Sequence, residues 1–260
     1  MPDQRINGNL LCRNRDEYGE LVVAEEGNMR SLFFGNGMLQ STIQIDQLDL
    51  LLEDYTEAMM AALLFGDPRT VLLIGLGGCS QVHFLLKALP DCAIDIVEIR
   101  QQVIDLSREF FFLPRSDKHL RIFHASGSDF MIDRAHPGSY DMILVDAFDE
   151  SGPAAALLEK DFLSACRNRL NQGGVFVMNL WNSPGYDFPA RYNTICEAFH
   201  GNVLKLLLAE SYQNAIVFGF KDSETCRNLP DYRRGARDLQ AKHGINFPRY
   251  LKQLYWQFVG

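Results

Sequence analysis

The 260-residue chain has no CxxC pair, no internal repeat, no low-complexity tract and no apolar run approaching membrane-spanning length. Each absence excludes something. Cys12, Cys79, Cys92, Cys166, Cys196 and Cys226 are scattered, and none shares metal-ligand spacing with a histidine. That argues against a zinc module or disulfide framework and for reduced thiols in a cytoplasmic protein. The six histidines, at 83, 119, 124, 136, 200 and 243, show no paired spacing either, so no metal is expected. The opening stretch "MPDQRINGNLLCRNRDEYGE" lacks an apolar signal core, so neither export nor a membrane partner is expected. Basic residues are in deficit, 25 Lys and Arg against 33 Asp and Glu, for a net charge of -8. Nucleic-acid binding needs the opposite balance.

What is present is ordinary globular material, 47% hydrophobic and 22% charged. The length allows one full core with a small appendage. From Glu20 to Ile45 the text reads as short strands, "ELVVAEE", "MRSLFF" and "LQSTIQI", with turns at Gly27-Asn28 and Gly35-Asn36-Gly37. "LDLLLEDYTEAMMAALLF" has apolar residues at helical spacing up to Gly66.

After Pro68 strands alternate with helices. "TVLLIGL", "AIDIVEI", "LRIFHA", "YDMILVDAF" and "GGVFVMNLW" read as buried strands. "SQVHFLLKAL", "QQVIDLSREFF" and "AALLEKDFLSACRNRL" read as the helices between them. Such alternation predicts an α/β fold, a doubly wound Rossmann-like sheet preceded by a small N-terminal β domain. "RYNTICEAFHGN" and "AIVFGFK" continue it, and "PRYLKQLYWQFV" reads as a closing amphipathic helix. The expected division is residues 1–50 for the β domain, 51–222 for a nucleoside-binding catalytic domain, and 223–260 for a C-terminal helical extension.

In open α/β sheets ligands sit beyond the carboxyl ends of the strands. Three features stand there. Gly75, Gly77 and Gly78 follow the first apolar strand, where glycine admits close approach of a ligand to the backbone; a tight turn needs the same residues. Glu98 ends the second strand about 20 residues later, the spacing of an acid that grips ribose hydroxyls. Asp146 and Asp149 follow the fourth strand, where paired carboxylates attract a cation and one can take a proton. Helix capping is the plainer use of such an aspartate. His83, on the helix after the glycines, reads as structural. Asn179 and Trp181, after the fifth strand, are expected at a pocket mouth; Trp181 suits core packing equally well.

"VEIRQQVIDLSREFFFLP", "YDMILVDAFDESGPA" and "GGVFVMNLW" resemble the spermidine synthase family, the aminopropyltransferases, in its spermidine-synthase-like branch. The resemblance runs from about Glu20 to Phe220. It implies a methyltransferase-like Rossmann domain, commonly in a homodimer, that moves an aminopropyl group from decarboxylated S-adenosylmethionine to a polyamine such as putrescine. It also implies roles: Glu98 holds the ribose, Asp146 activates the attacking amine and Asp149 helps bind it. Gln40 closes over the nucleoside, and Tyr55 lines the pocket.

Three positions depart from the family pattern. Gly78 stands where the family carries a loop aspartate for the donor amine. Thr56 replaces a histidine, and Ser126 replaces an adenine-binding aspartate, with Asp129 close by. Without the loop carboxylate, intact S-adenosylmethionine is harder to exclude as the co-substrate. A methyltransferase therefore stays open as an alternative, although Leu73 sits where methyltransferases often carry an acid. A non-catalytic nucleoside-binding protein stays open too. A dehydrogenase fits poorly, because the loop is not GxGxxG: Ser80 stands three after Gly77.

Overall fold

The computed structural model describes residues 8–35, 37–115, 118–133, 138–149, 152–208, 214–224 and 232–259. Asn36, His136 and Cys226 lie outside the described residues, as does the side chain of Asp149.

The N-terminal strands β1 (Asn9–Asp16), β2 (Gly19–Glu26), β3 (Met29–Phe34) and β4 (Met38–Gln44) form an antiparallel meander. Leu21, Val23, Leu32, Phe34 and Ile43 join one core cluster with the helices and main sheet behind them. Strand β1 was not expected, because "NLLCRNRD" shows neither alternation nor burial. Its ladder with β2 and the Arg13–Glu20 ion pair hold it in place.

The main sheet has seven strands: β5 (Thr70–Ile74), β6 (Ala93–Glu98), β7 (Leu120–His124), β8 (Tyr140–Val145), β11 (Leu170–Trp181), β12 (Val203–Leu207) and β13 (Asn214–Phe220). Two-residue strands β9 (Phe148–Asp149) and β10 (Gly152–Pro153) form a separate hairpin. The order is β12-β13-β11-β8-β5-β6-β7. Neighbours from β11 to β7 pair in parallel, whereas β13 runs antiparallel to β11 and to β12. The chain winds from β5 outward through β6 to β7, then returns to place β8 on the other side of β5. That reversal opens a crevice between the carboxyl ends of β5 and β8.

Alternate residues of each buried strand feed two cores. Val71, Leu73, Ile94 and Ile96 face the side of α1 (Asp54–Met59), α2 (Ser80–Ala88), α3 (Gln101–Phe110) and the closing helices α7 (Arg233–His243) and α8 (Phe247–Val259). Leu72, Ile74, Val97 and Ile143 face that of α4 (Gly127–Ile132), α5 (Lys160–Arg169) and α6 (Phe188–Ala198). Burial on both faces explains the continuous apolar runs.

Two expected helices differ. The run from Leu48 is helical only from Asp54 and tightens to a 3-10 helix over Met60–Phe65. Thr56 braces the first turn, its backbone N–H and hydroxyl both donating to the Glu53 carbonyl at 2.9 and 2.6 Å. The run from Ala155 breaks at Glu159, which is extended (φ -72°, ψ 146°), into a 3-10 turn and α5. Leu170 already belongs to β11, so the helix stops one residue short of its expected end.

Candidate active site

The loop from β5 to α2 is built around the crevice. Gly75 has φ +96°, and a Cβ there would lie 2.2 Å from the Asp146 carbonyl oxygen. Only glycine lets the ends of β5 and β8 come this close. The Asp146 N–H donates to the Ile74 carbonyl and the Gly75 N–H to that of Val97, both at 2.9 Å. Three strand ends are thereby drawn together. The Gly77 carbonyl is anchored by the Ser107 hydroxyl of α3 at 3.0 Å.

Beyond these strand ends opens a cavity of about 1100 Å³. Gln40, Tyr55, Gly75, Gly77, Glu98, Ser126, Asp146 and Trp181 line it. Gly78 and Asp129 are not among the lining residues, and Asp149 lies in β9. Gly78 packs behind the wall: a Cβ would meet the Phe111 ring at 2.9 Å and Ser41 Oγ at 3.1 Å. Ser126 caps α4, accepting from the Asp129 N–H at 3.4 Å. Trp181 both lines the cavity and packs, with its ring 5.9 Å from that of Phe148. His83 is buried in a structural role, its Nε2 bonded to the Phe111 carbonyl at 2.7 Å.

At one end of the cavity the Glu98 carboxylate accepts backbone N–H groups on both oxygens, Leu76 at 2.9 Å and Arg100 at 2.8 Å. Burial pushes its carboxyl up, and these two donors oppose the shift. Each oxygen keeps a second lone pair, enough for a pair of hydroxyls. Arg100 in turn ties this end to the N-terminal sheet. It makes a buried, two-pronged pair with Asp16 at 3.0 and 2.7 Å and lies over the Phe34 ring at 4.5 Å.

At the other end stands Asp146. Asn179 of β11 donates to Oδ1 at 3.0 Å and Gln81 of α2 donates to Oδ2 at 2.5 Å, while the nearby Tyr55 hydroxyl, 3.5 Å from the Gln40 carbonyl, also favours the charged form of Asp146. Burial pushes this carboxyl up to about 6 against those three groups. Asn214 of β13 donates to Asn179 Oδ1 at 2.9 Å and so fixes which way that amide faces. Glu53, just before α1, is a second part-buried acid whose carboxyl burial lifts to about 7, with Asp146 adding to the rise. Gln81, Asn214 and Glu53 were missed in the sequence. They lie on three separate elements, and no local spacing marks them. Among the described residues, no three His, Cys, Asp or Glu side chains group as a metal site would.

A model of the spermine/spermidine synthase domain matches residues 53–187, a stretch that holds Tyr55, the glycine loop, Glu98, Asp146 and Trp181. The chain belongs to the spermine/spermidine synthase family. Polyamine aminopropyltransferases of Chromobacterium violaceum and Neisseria meningitidis are 35% and 36% identical to it, over 90% and 91% of this chain and 89% of each relative. A crystal structure of spermidine synthase in complex with the transition state analogue AdoDATO shares the fold, with a TM-score of 0.72 at 19% identity. The alignment covers 95% of this chain and 85% of that one. Gln40 and Asn214 fall outside the stretch matched by the family model, so its boundaries alone do not delimit the pocket.

Proposed function

We propose that this transferase moves an aminopropyl group from decarboxylated S-adenosylmethionine to a diamine such as putrescine. The observation that carries the reading is the placement of two differently held carboxylates in one cavity. Glu98 is locked by backbone donors at a nucleoside end, and Asp146, its carboxyl lifted to about 6, stands at an amine end. A protonated alkylamine has no lone pair, so Asp146 takes one proton from it. The neutral nitrogen then attacks the methylene next to the sulfonium. The new N–C bond forms as the C–S bond breaks, and that bond's electron pair stays on sulfur in the departing thioether nucleoside. Much of the remaining acceleration comes from holding the two substrates in line. The acidic wall favours a cationic acceptor. Ser126 and Gln40 belong to the nucleoside end on this reading, with Asp129 behind Ser126, and Tyr55, Trp181 and Asp149 belong to the amine end.

Intact S-adenosylmethionine with methyl transfer is the second reading. One observation favours it: the loop carries no carboxylate at Gly78, where Phe111 and Ser41 come close. A cytoplasmic setting is supported by five free cysteines among the described residues. A homodimer rests on the family resemblance.

The test is calorimetry with methylthioadenosine and with both donors, run beside an assay of thioether release with putrescine. Tighter binding of the decarboxylated donor with amine-dependent release is the expected result. Methyl transfer from intact S-adenosylmethionine would replace the reading. Nucleoside binding with no transfer of either group would make the protein a binding module.

A further inference from the structure

Gln81 sits in the first turn of α2, is 6% exposed and forms part of the cavity wall. A carboxylate can only accept, so the amide must turn its NH₂ toward Asp146, as the 2.5 Å contact from Nε2 to Oδ2 shows. The same NH₂ lies 3.8 Å from Met59 Sδ. This orientation leaves Oε1 buried with no hydrogen-bond partner in the protein. Buried acceptors are rarely left so, and one beside the proton-taking carboxylate in a cavity wall suits a donor brought by a ligand.

Resting on the aminopropyl-transfer reading, we propose that Gln81 Oε1 accepts an N–H of the attacking amine. The nucleophile is then held between Gln81 and Asp146. Once Asp146 has taken its proton, a primary amine retains two N–H groups and one lone pair. A hydrogen bond from one N–H to Gln81 fixes the nitrogen's rotation and leaves the lone pair free to face the sulfonium methylene. The proton on Asp146 is released to solvent, and the product leaves as a secondary ammonium. Gln81 thus selects acceptors that still carry an N–H after deprotonation and disfavours tertiary amines. Tyr55 and Glu53 are the other titratable groups facing Asp146, and Asn179 is its remaining neutral partner.

Two variants test this. Gln81→Met keeps the length but removes both the acceptor and the donor, whereas Gln81→Glu keeps an acceptor oxygen beside Asp146. Calorimetry with putrescine on protein loaded with methylthioadenosine should show Gln81→Met weakening diamine binding at least tenfold. Its affinity for methylthioadenosine should stay within twofold of wild type, which also reports that the variant is folded. The acid limb of kcat/KM should move to higher pH in Gln81→Met, since Asp146 loses a donor that favours its charged form. Gln81→Glu should move the limb further the same way yet recover diamine binding at pH 8. Wild-type diamine binding in Gln81→Met, or an unmoved acid limb, would overturn the inference alone. If the loaded wild-type protein binds no diamine, the aminopropyl-transfer reading falls and takes this one with it.

Discussion

The two ends of the cavity are built from different materials. Glu98 is held by the backbone N–H groups of Leu76 and Arg100, whereas Asp146 is held by the side chains of Gln81 and Asn179, with Tyr55 nearby. Backbone donors at a strand end come with the fold and survive most substitutions nearby. Side-chain donors change with each mutation. On the proposed reading the nucleoside end is therefore the constant part of this architecture, and the amine end is where chemistry and specificity can be altered. Gly78 fits that division: its neighbours are a phenyl ring and a serine hydroxyl, so the loop contributes backbone but no charge.

The comparison breaks most visibly at Asp146. Asp146→Asn keeps the shape, and Gln81 can flip its amide to meet the new NH₂, but no proton can be taken. Turnover with putrescine should fall about 10²-fold or more, the usual scale of general-base loss. Calorimetry should find methylthioadenosine affinity unchanged. In the wild type, kcat/KM should be sustained above pH 6 and decline below it, as the carboxyl at about 6 becomes protonated. Equal turnover of the two proteins would remove Asp146 from the mechanism.

Glu98→Gln should do the reverse. One carboxylate oxygen becomes an NH₂ aimed at a backbone N–H that cannot accept. Nucleoside binding should weaken by about 2 kcal/mol, the scale of a hydrogen bond to a charged group. The rate at saturating donor should change far less. Unaltered methylthioadenosine affinity would take Glu98 out of the site.

Glu53 offers the smallest and most diagnostic effect. Folding raises its carboxyl from 4.5 to about 7, so the folded state favours the protonated form. That preference supports stability at low pH and is lost as pH rises through about 7. Glu53→Gln, neutral at every pH, should match wild type at pH 4 and be more stable by about 1 kcal/mol at pH 8. A full shift would give more, but relaxation and water reaching the charged carboxylate reduce it. Chemical denaturation at the two pH values measures this, and a pH-independent difference would show that Glu53 is not buried as an acid.

That the glycine loop and Glu98 meet at the strand ends was largely legible. An apolar strand breaking into glycines, followed about 20 residues later by a strand-end acid, constrains backbone geometry locally. Asp146 was legible for the same reason, as the residue ending "YDMILVD". Its environment was not. Gln81 lies on a helix where it reads as one more polar residue, and Asn214 begins a strand far along the chain. Glu53 precedes a helix whose start was expected six residues earlier. Strand β1 escaped notice because a polar edge strand carries no periodic signal and takes its form from its partner.

By itself, the sequence determined the α/β alternation, the glycine turn that only a side-chain-free backbone can make, and the placing of acidic residues after two of the strands. Those follow from covalent constraints and from burial patterns that repeat within a few residues. The tertiary structure decided that Gly78 packs under Phe111 behind the cavity wall and that burial lifts the Asp146 carboxyl to about 6. It also decided that Gln81, in the cavity wall, keeps a buried side-chain oxygen without a partner in the protein. Each of these depends on groups drawn from distant segments into one low-dielectric space, where burial and a few hydrogen bonds compete. No local stretch of the chain records that competition.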